Sequence, residues 1–120
     1  MPGRPHVLVV DDEPLIVDAL RGLFELQGLR VSTAANGGEA LHQLAASRVD
    51  AVVTDLNMPD CGGAELIGEL RRRDMLSPPV IVLTADDEAA RTLVRLDNVQ
   101  ILRKPAGIGE ILAALSRALS

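Results

Sequence analysis

His6-Val7-Leu8-Val9-Val10-Asp11-Asp12-Glu13-Pro14-Leu15-Ile16 holds an unbroken apolar run, then three acids, then a proline that opens a helical period. A run of four or five residues, rich in Val and without polar alternation, is what a strand covered on both faces requires, and such strands belong to parallel sheets. Pro14 suits the first helical position, after Asp12 or Glu13 as cap, because its missing N–H would have no partner there anyway. Ile16, Leu20 and Leu23 then recur at i, i+4 and i+7, and Gly28 is a stop signal.

The same alternation continues outward from this unit. Further apolar runs lie at Leu29 to Thr33, Ala51 to Thr54, Val80 to Leu83 and Val99 to Leu102. Between them come segments of helical period. Asn36 is placed to cap a second helix, with Glu39 completing a box-like start and Ala40, Leu41, Leu44 and Ala45 on one face. A third has Leu66, Ile67 and Leu70 opposite Glu65, Glu69, Arg71, Arg72 and Arg73; the arginines complement the helix dipole. A short fourth opens on Asp86, Asp87 and Glu88 and runs through Ala90, Leu93 and Val94. A fifth carries Ile108, Ile111, Leu112, Leu115 and Leu119. Five strand–helix units with right-handed crossovers give an α/β, doubly wound parallel sheet with helices on both faces.

Composition narrows the function. The chain has 120 residues, 48% of them hydrophobic and 24% charged, which predicts one domain, residues 1–120, with a single core. Phe24 is the only aromatic residue, which argues against base-stacking platforms and aromatic cages. A net charge of -5 repels a phosphate backbone, so direct nucleic-acid binding is not expected. Cys61 cannot form an internal disulfide, and one Cys with two His cannot build an ordinary zinc site; Cys61 is expected to fill a loop position. The N-terminal apolar stretch is too short for a signal peptide, and no run approaches the ~20 residues of a membrane span, so a cytoplasmic protein is expected. With the chain ending two residues after Ala118, no tail carrying a second function is expected. Both a stand-alone protein and an excised N-terminal domain fit these limits. Gly107-Ile108-Gly109 lacks a third glycine and the strand-to-helix setting of a dinucleotide fingerprint.

In open α/β sheets the site lies beyond the carboxyl ends of the strands. There the chain places Asp11, Asp12 and Glu13 after the first run, Asp55 after the third, Thr84 after the fourth, and Lys104-Pro105 after the fifth. Singly, each has a structural explanation: Asp12 and Thr84 as caps, Asp55 as a turn residue, Lys104 as a solvated charge. Their convergence on one rim is harder to explain so, because crowded carboxylates are costly without a compensating cation. Lys104 is the chain's only lysine; the other eleven basic residues are Arg. Few hard oxygen ligands suit Mg²⁺, and Thr84 and Lys104 suit phosphoryl oxygens, which makes Asp55 a candidate nucleophile forming an aspartyl phosphate.

Five segments, Val9-Val10-Asp11-Asp12-Glu13-Pro14, Ala34-Ala35-Asn36-Gly37-Gly38-Glu39-Ala40-Leu41, Asp55-Leu56-Asn57-Met58-Pro59 with Gly63, Leu83-Thr84-Ala85 and Arg103-Lys104-Pro105, occur in order along nearly the whole chain. In this the chain resembles the receiver domains of two-component response regulators. The resemblance implies a flavodoxin-like (βα)5 fold with strand order 2-1-3-4-5. It implies Asp55 as phosphoacceptor, Mg²⁺ held by Asp12, Asp55 and the backbone carbonyl of Asn57 with Asp11 assisting through water, and Thr84 and Lys104 as phosphoryl contacts. Pro105 would be the family's cis proline. The implied partners are a sensor histidine kinase or phosphotransfer protein, an output domain or effector, and in some cases a second copy. Catalysis is expected only on the protein's own phosphorylation and dephosphorylation.

The chain departs from the family pattern in places. Ile101 stands where the family commonly has Tyr or Phe as the switch partner of Thr84, Ala106 where Phe is frequent, and Leu96-Asp97-Asn98-Val99-Gln100 where Gly-Ala-Asp-Asp is usual. These changes predict unconventional or weak signalling through the face of the fourth helix, fifth strand and fifth helix. Two rival readings are a degenerate receiver acting as a phosphorylation-independent interaction module, and a Mg²⁺-dependent phosphatase with an aspartyl nucleophile. The first is disfavoured because Asp11, Asp12, Asp55, Thr84 and Lys104 are all present. The second lacks an acid at Asn57 and a substrate cap.

Overall fold

The computed structural model describes residues 3–56, 63–73, 78–93 and 98–120. Five strands, β1 (His6–Val10), β2 (Arg30–Ala34), β3 (Ala51–Asp55), β4 (Val80–Thr84) and β5 (Val99–Arg103), alternate with α1 (Pro14–Leu26), α2 (Gly37–Ala46), α3 (Gly63–Arg73), α4 (Asp87–Leu93) and α5 (Ile108–Leu119). The strands form one parallel sheet in the order β2-β1-β3-β4-β5, the doubly wound arrangement expected from the sequence.

The pleat sorts each strand's apolar residues between two layers. Val7, Val9, Ala51, Val53, Ile81 and Leu83 face α1 and α5, where Leu20, Phe24, Ile111, Ala114 and Leu115 cover them. Leu8, Val10, Val52, Val80 and Val82 face the other way, under Ala40, Leu66, Ile67 and Leu93. Burial on both faces holds for β1, β3 and β4, every residue of which is buried. It does not hold for β2 and β5, which are half-exposed because each is a sheet edge with one neighbour. Side chains cover the β2 edge instead: Gln43 Nε2 donates to the Thr33 carbonyl at 2.7 Å and Arg21 to Thr33 Oγ1 at 3.2 Å.

Two helical stripes are shifted from their expected positions. On α1 the buried residues are Leu20 and Phe24, while Ile16 is 41% exposed; on α5 they are Ile111, Ala114 and Leu115, while Ile108 is 63% exposed. Both exposed residues lie in the first turn, at the helix ends nearest the carboxyl rim of the sheet. Ala45 on α2 is exposed as well. The caps are as local as expected. Asn36 Oδ1 accepts from Glu39 N at 2.9 Å, and Glu39 reaches back to Ala35 N rather than to the cap itself. Gly28, at φ +83°, ends the α1 turn in the left-handed region that glycine tolerates. At the opposite pole His6 joins three segments: its ring contacts the Arg48 carbonyl at 2.8 Å and Ser32 Oγ at 2.6 Å, and its N–H donates to Asp50 at 2.8 Å. Among the described residues, no helix is long and apolar enough to cross a membrane.

Candidate functional site

The sheet's winding reverses between β1 and β3, so the crevice falls at the carboxyl ends of these strands. Backbone bonds just past the strand ends hold the rim in register: Asp11 N to the Ala34 carbonyl, Leu56 N to the Leu83 carbonyl, and Lys104 N to the Thr84 carbonyl. The rim residues named from the sequence are thereby brought together. One carboxylate oxygen each of Asp11, Asp12 and Asp55 lies within 4.8 Å of the others. Lys104 Nζ donates to Asp55 Oδ1 at 2.9 Å. The Lys104–Pro105 peptide bond is cis.

Burial divides the group. Asp11, Asp55 and Thr84 are buried, at 4%, 7% and 1% exposure, whereas Asp12 is open to solvent. Asp11 Oδ1 accepts from Glu13 N at 2.9 Å, a local turn that also leads the chain into α1. The expected α1 cap is therefore different in kind: Glu13 holds the cap position without a side-chain bond, and Asp11 takes up its N–H. Thr84 does not cap α4 directly. Its Oγ1 accepts from Asp86 N at 2.9 Å, and Asp86 Oδ1 accepts from Glu88 N and Ala89 N.

Electrostatics follow from this crowding. Burial pushes the Asp11 carboxyl above its ordinary range and the charge of Asp55 adds to it, against the opposing Glu13 N–H and the Lys104 ammonium. Partial burial pulls Lys104 down, but the hydrogen bond and charge of Asp55, with the charges of Asp11 and Glu13, outweigh it and leave Lys104 above its ordinary value. Three carboxylates converging on one point with a single ammonium form a donor set that could hold a hard divalent ion. Sequence reading gave Glu13 only as a candidate cap and a rim acid; it missed that its N–H fixes Asp11 and that its charge acts on Lys104, although an Asp two residues before a helix entry is the signal for such a turn.

Ile101 pairs with Val82 in the sheet and is packed, half-buried, against the core layer that holds Leu93 and Ala89. Asn57, Cys61 and Val94, with Leu96 and Asp97, lie outside the described residues, as do the side chains of Leu70, Arg71 and Arg73.

A five-stranded 2-1-3-4-5 sheet with acids, a buried Thr and a Lys on one rim defines a class of signalling domain, and comparison gives it its family. Residues 7–116 match the response regulator receiver domain model, and the chain belongs to that family of two-component systems. The transcriptional regulatory protein KdpE of Mycobacterium tuberculosis is 40% identical over 115 residues, covering 94% of this chain and 50% of that protein. KdpE of Escherichia coli is 39% identical, covering 95% and 51%. The chain thus spans about half the length of these curated relatives. A response regulator receiver protein from Pseudomonas putida superposes with a TM-score of 0.89 at 30% identity, covering 98% and 99% of the two chains. Chemotaxis protein CheY4 of Vibrio cholerae does so at 0.87 and 29%, covering 98% and 100%.

Proposed function

We propose that the chain is a phosphoacceptor receiver in which Asp55 takes a phosphoryl group from a sensor histidine kinase or phosphotransfer protein. The observation that carries this reading is the convergence of Asp55 with Lys104 at 2.9 Å and with Asp11 and Asp12 at the switch point of the sheet. A carboxylate oxygen of Asp55 attacks phosphorus, and the bond from phosphorus to the donor nitrogen breaks. The electron pair leaves with the imidazole, and an aspartyl phosphate remains. Lys104 moves its ammonium from the carboxylate to a phosphoryl oxygen, and Thr84 turns its buried hydroxyl to another. Mg²⁺ suits the donor set of Asp12, Asp55 and the Asn57 carbonyl, with Asp11 assisting through water, and when bound it neutralises charge on the phosphoryl oxygens. The reaction is confined to the protein's own Asp55 and is not turnover of a separate substrate.

The curated relatives are named as transcriptional regulators about twice as long. We infer a cytoplasmic setting and an output domain or effector that reads the receiver, in some cases through a second copy of the chain. Because Ile101 is already half-buried against the core layer that contains Leu93, the α4–β5–α5 face responds weakly to phosphorylation. A beryllofluoride mimic is expected to shift amides around Asp55 and Thr84 far more than those of β5 and α5; equal, large shifts on both would contradict this.

The test of phosphoacceptor function is incubation with acetyl phosphate and Mg²⁺, read by intact mass with Asp55→Asn as control. One added phosphoryl group, absent from the variant and from Mg²⁺-free samples, is the expected result. No addition would favour a phosphorylation-independent interaction module, and rapid turnover of added phosphoesters would favour a phosphatase.

A further inference from the structure

Between α1 and α5 the surface opens into a cavity of about 500 Å³, walled by Ile16, Ala19, Leu20, Leu83, Ala106 and Ile111. Its depth shows in the core itself. Leu20, Leu83 and Ile111 keep 8%, 6% and 6% exposure, whereas Val9, Phe24 and Ile81 in the same layer have none. Its size follows from composition. Ala19 and Ala106 leave the space open, and the chain's one aromatic ring, Phe24, is buried elsewhere in the layer. An apolar cavity of ~150 Å³ already holds a benzene ring, and ligand sites span roughly 300–1,000 Å³. The volume therefore suits a molecule larger than one ring.

One end of the cavity is polar, formed by Asp11, Glu13 and Lys104. The Lys104 ammonium is already engaged by Asp55, so the two lining carboxylates, Asp11 and Glu13, leave the mouth net negative. We propose that the α1–α5 cavity is a binding site for a small amphiphilic amine, its apolar body between Ala19, Leu83 and Ala106 and its ammonium toward Glu13 and Asp11. An anionic head would meet uncompensated carboxylates in a partly dry setting, where like charges repel more strongly than in water.

The site does not depend on phosphorylation of Asp55, so its test uses the full chain without phosphodonor or added metal. Phenylbutylamine, phenylbutanol and phenylbutyrate are titrated separately into ¹⁵N-labelled protein. The amine is expected to give saturable shifts at Ile16, Ala19, Ala106 and Ile111 and to bind about tenfold or more tighter than the other two, the equivalent of ~1.4 kcal/mol. Two filling variants, Ala106→Phe and Ala19→Leu, are each expected to lose binding while keeping the wild-type amide pattern elsewhere. The proposal is overturned if the amine produces no saturable shift at the cavity, if the alcohol or the carboxylate binds as tightly, or if a well-folded filling variant still binds.

Discussion

Asp11 is almost fully buried at the end of β1, with two further carboxylates beside it and one of its own oxygens bonded to Glu13 N–H. Its folded pKa lies above the ordinary 3.8, so between those two values the folded state holds more protons than the unfolded, and stability falls as pH rises through that window. Asp11→Asn keeps an acceptor for Glu13 N–H and removes the penalised charge. In metal-free buffer at pH 7 it is expected to be at least as stable as wild type by urea denaturation; a loss above ~1 kcal/mol would contradict this. Mg²⁺ is expected to raise the wild-type Tm and to raise that of Asp11→Asn less. Lys104 is shifted in the same direction but for the opposite reason, because here the charged form is the one the fold favours. Its pKa is raised above 10.5, so its contribution is complete below that value and is lost as pH climbs through the folded value. Wild type is expected to lose more stability than Lys104→Met between about pH 9 and about pH 11.5, and equal losses would contradict the pairing with Asp55.

At the scale of elements, α1 shows which sequence signals were sufficient. Pro14 and Gly28 bounded it, and the structure gives Pro14–Leu26. The i, i+4, i+7 series placed Leu20 in the core but also Ile16, which stands at the cavity mouth because the first turn lies beyond the layer that buries Leu20 and Phe24. Period alone locates a stripe, and the neighbouring element decides how far it is covered. The edge strands carry the same lesson: β2 and β5 read as covered runs, yet each has a single partner strand. Phe24 anchors the α1–α5 layer with no exposure, so Phe24→Ala is expected to cost ~3–5 kcal/mol. Removing the α2 cap by Asn36→Ala should cost only ~1 kcal/mol. Denaturant melts of the two variants check the ordering, and a cap loss as large as the Phe24 loss would contradict it.

For the molecule as a whole, the strand order puts the ends of β1 and β3 side by side, and this brings residues 11 and 55 into one site. The rim residues were legible because each follows an apolar run, and a parallel sheet sends every such end to the same edge. The α1–α5 cavity was not legible, since it depends on how helices seat against the sheet, whereas the Asp11 turn to Glu13 N–H is local and its signal was overlooked. The cavity also recasts the shortage of aromatic rings: the small side chain at Ala106 leaves open space beside Lys104. The central claim, that Asp55 is the group modified, can be read directly. After treatment with acetyl phosphate and Mg²⁺, borohydride reduction converts an aspartyl phosphate to homoserine, and peptide mapping locates it. Homoserine at position 55 alone is the expected result; its absence, or its appearance at Asp11 or Asp12 instead, would contradict the assignment.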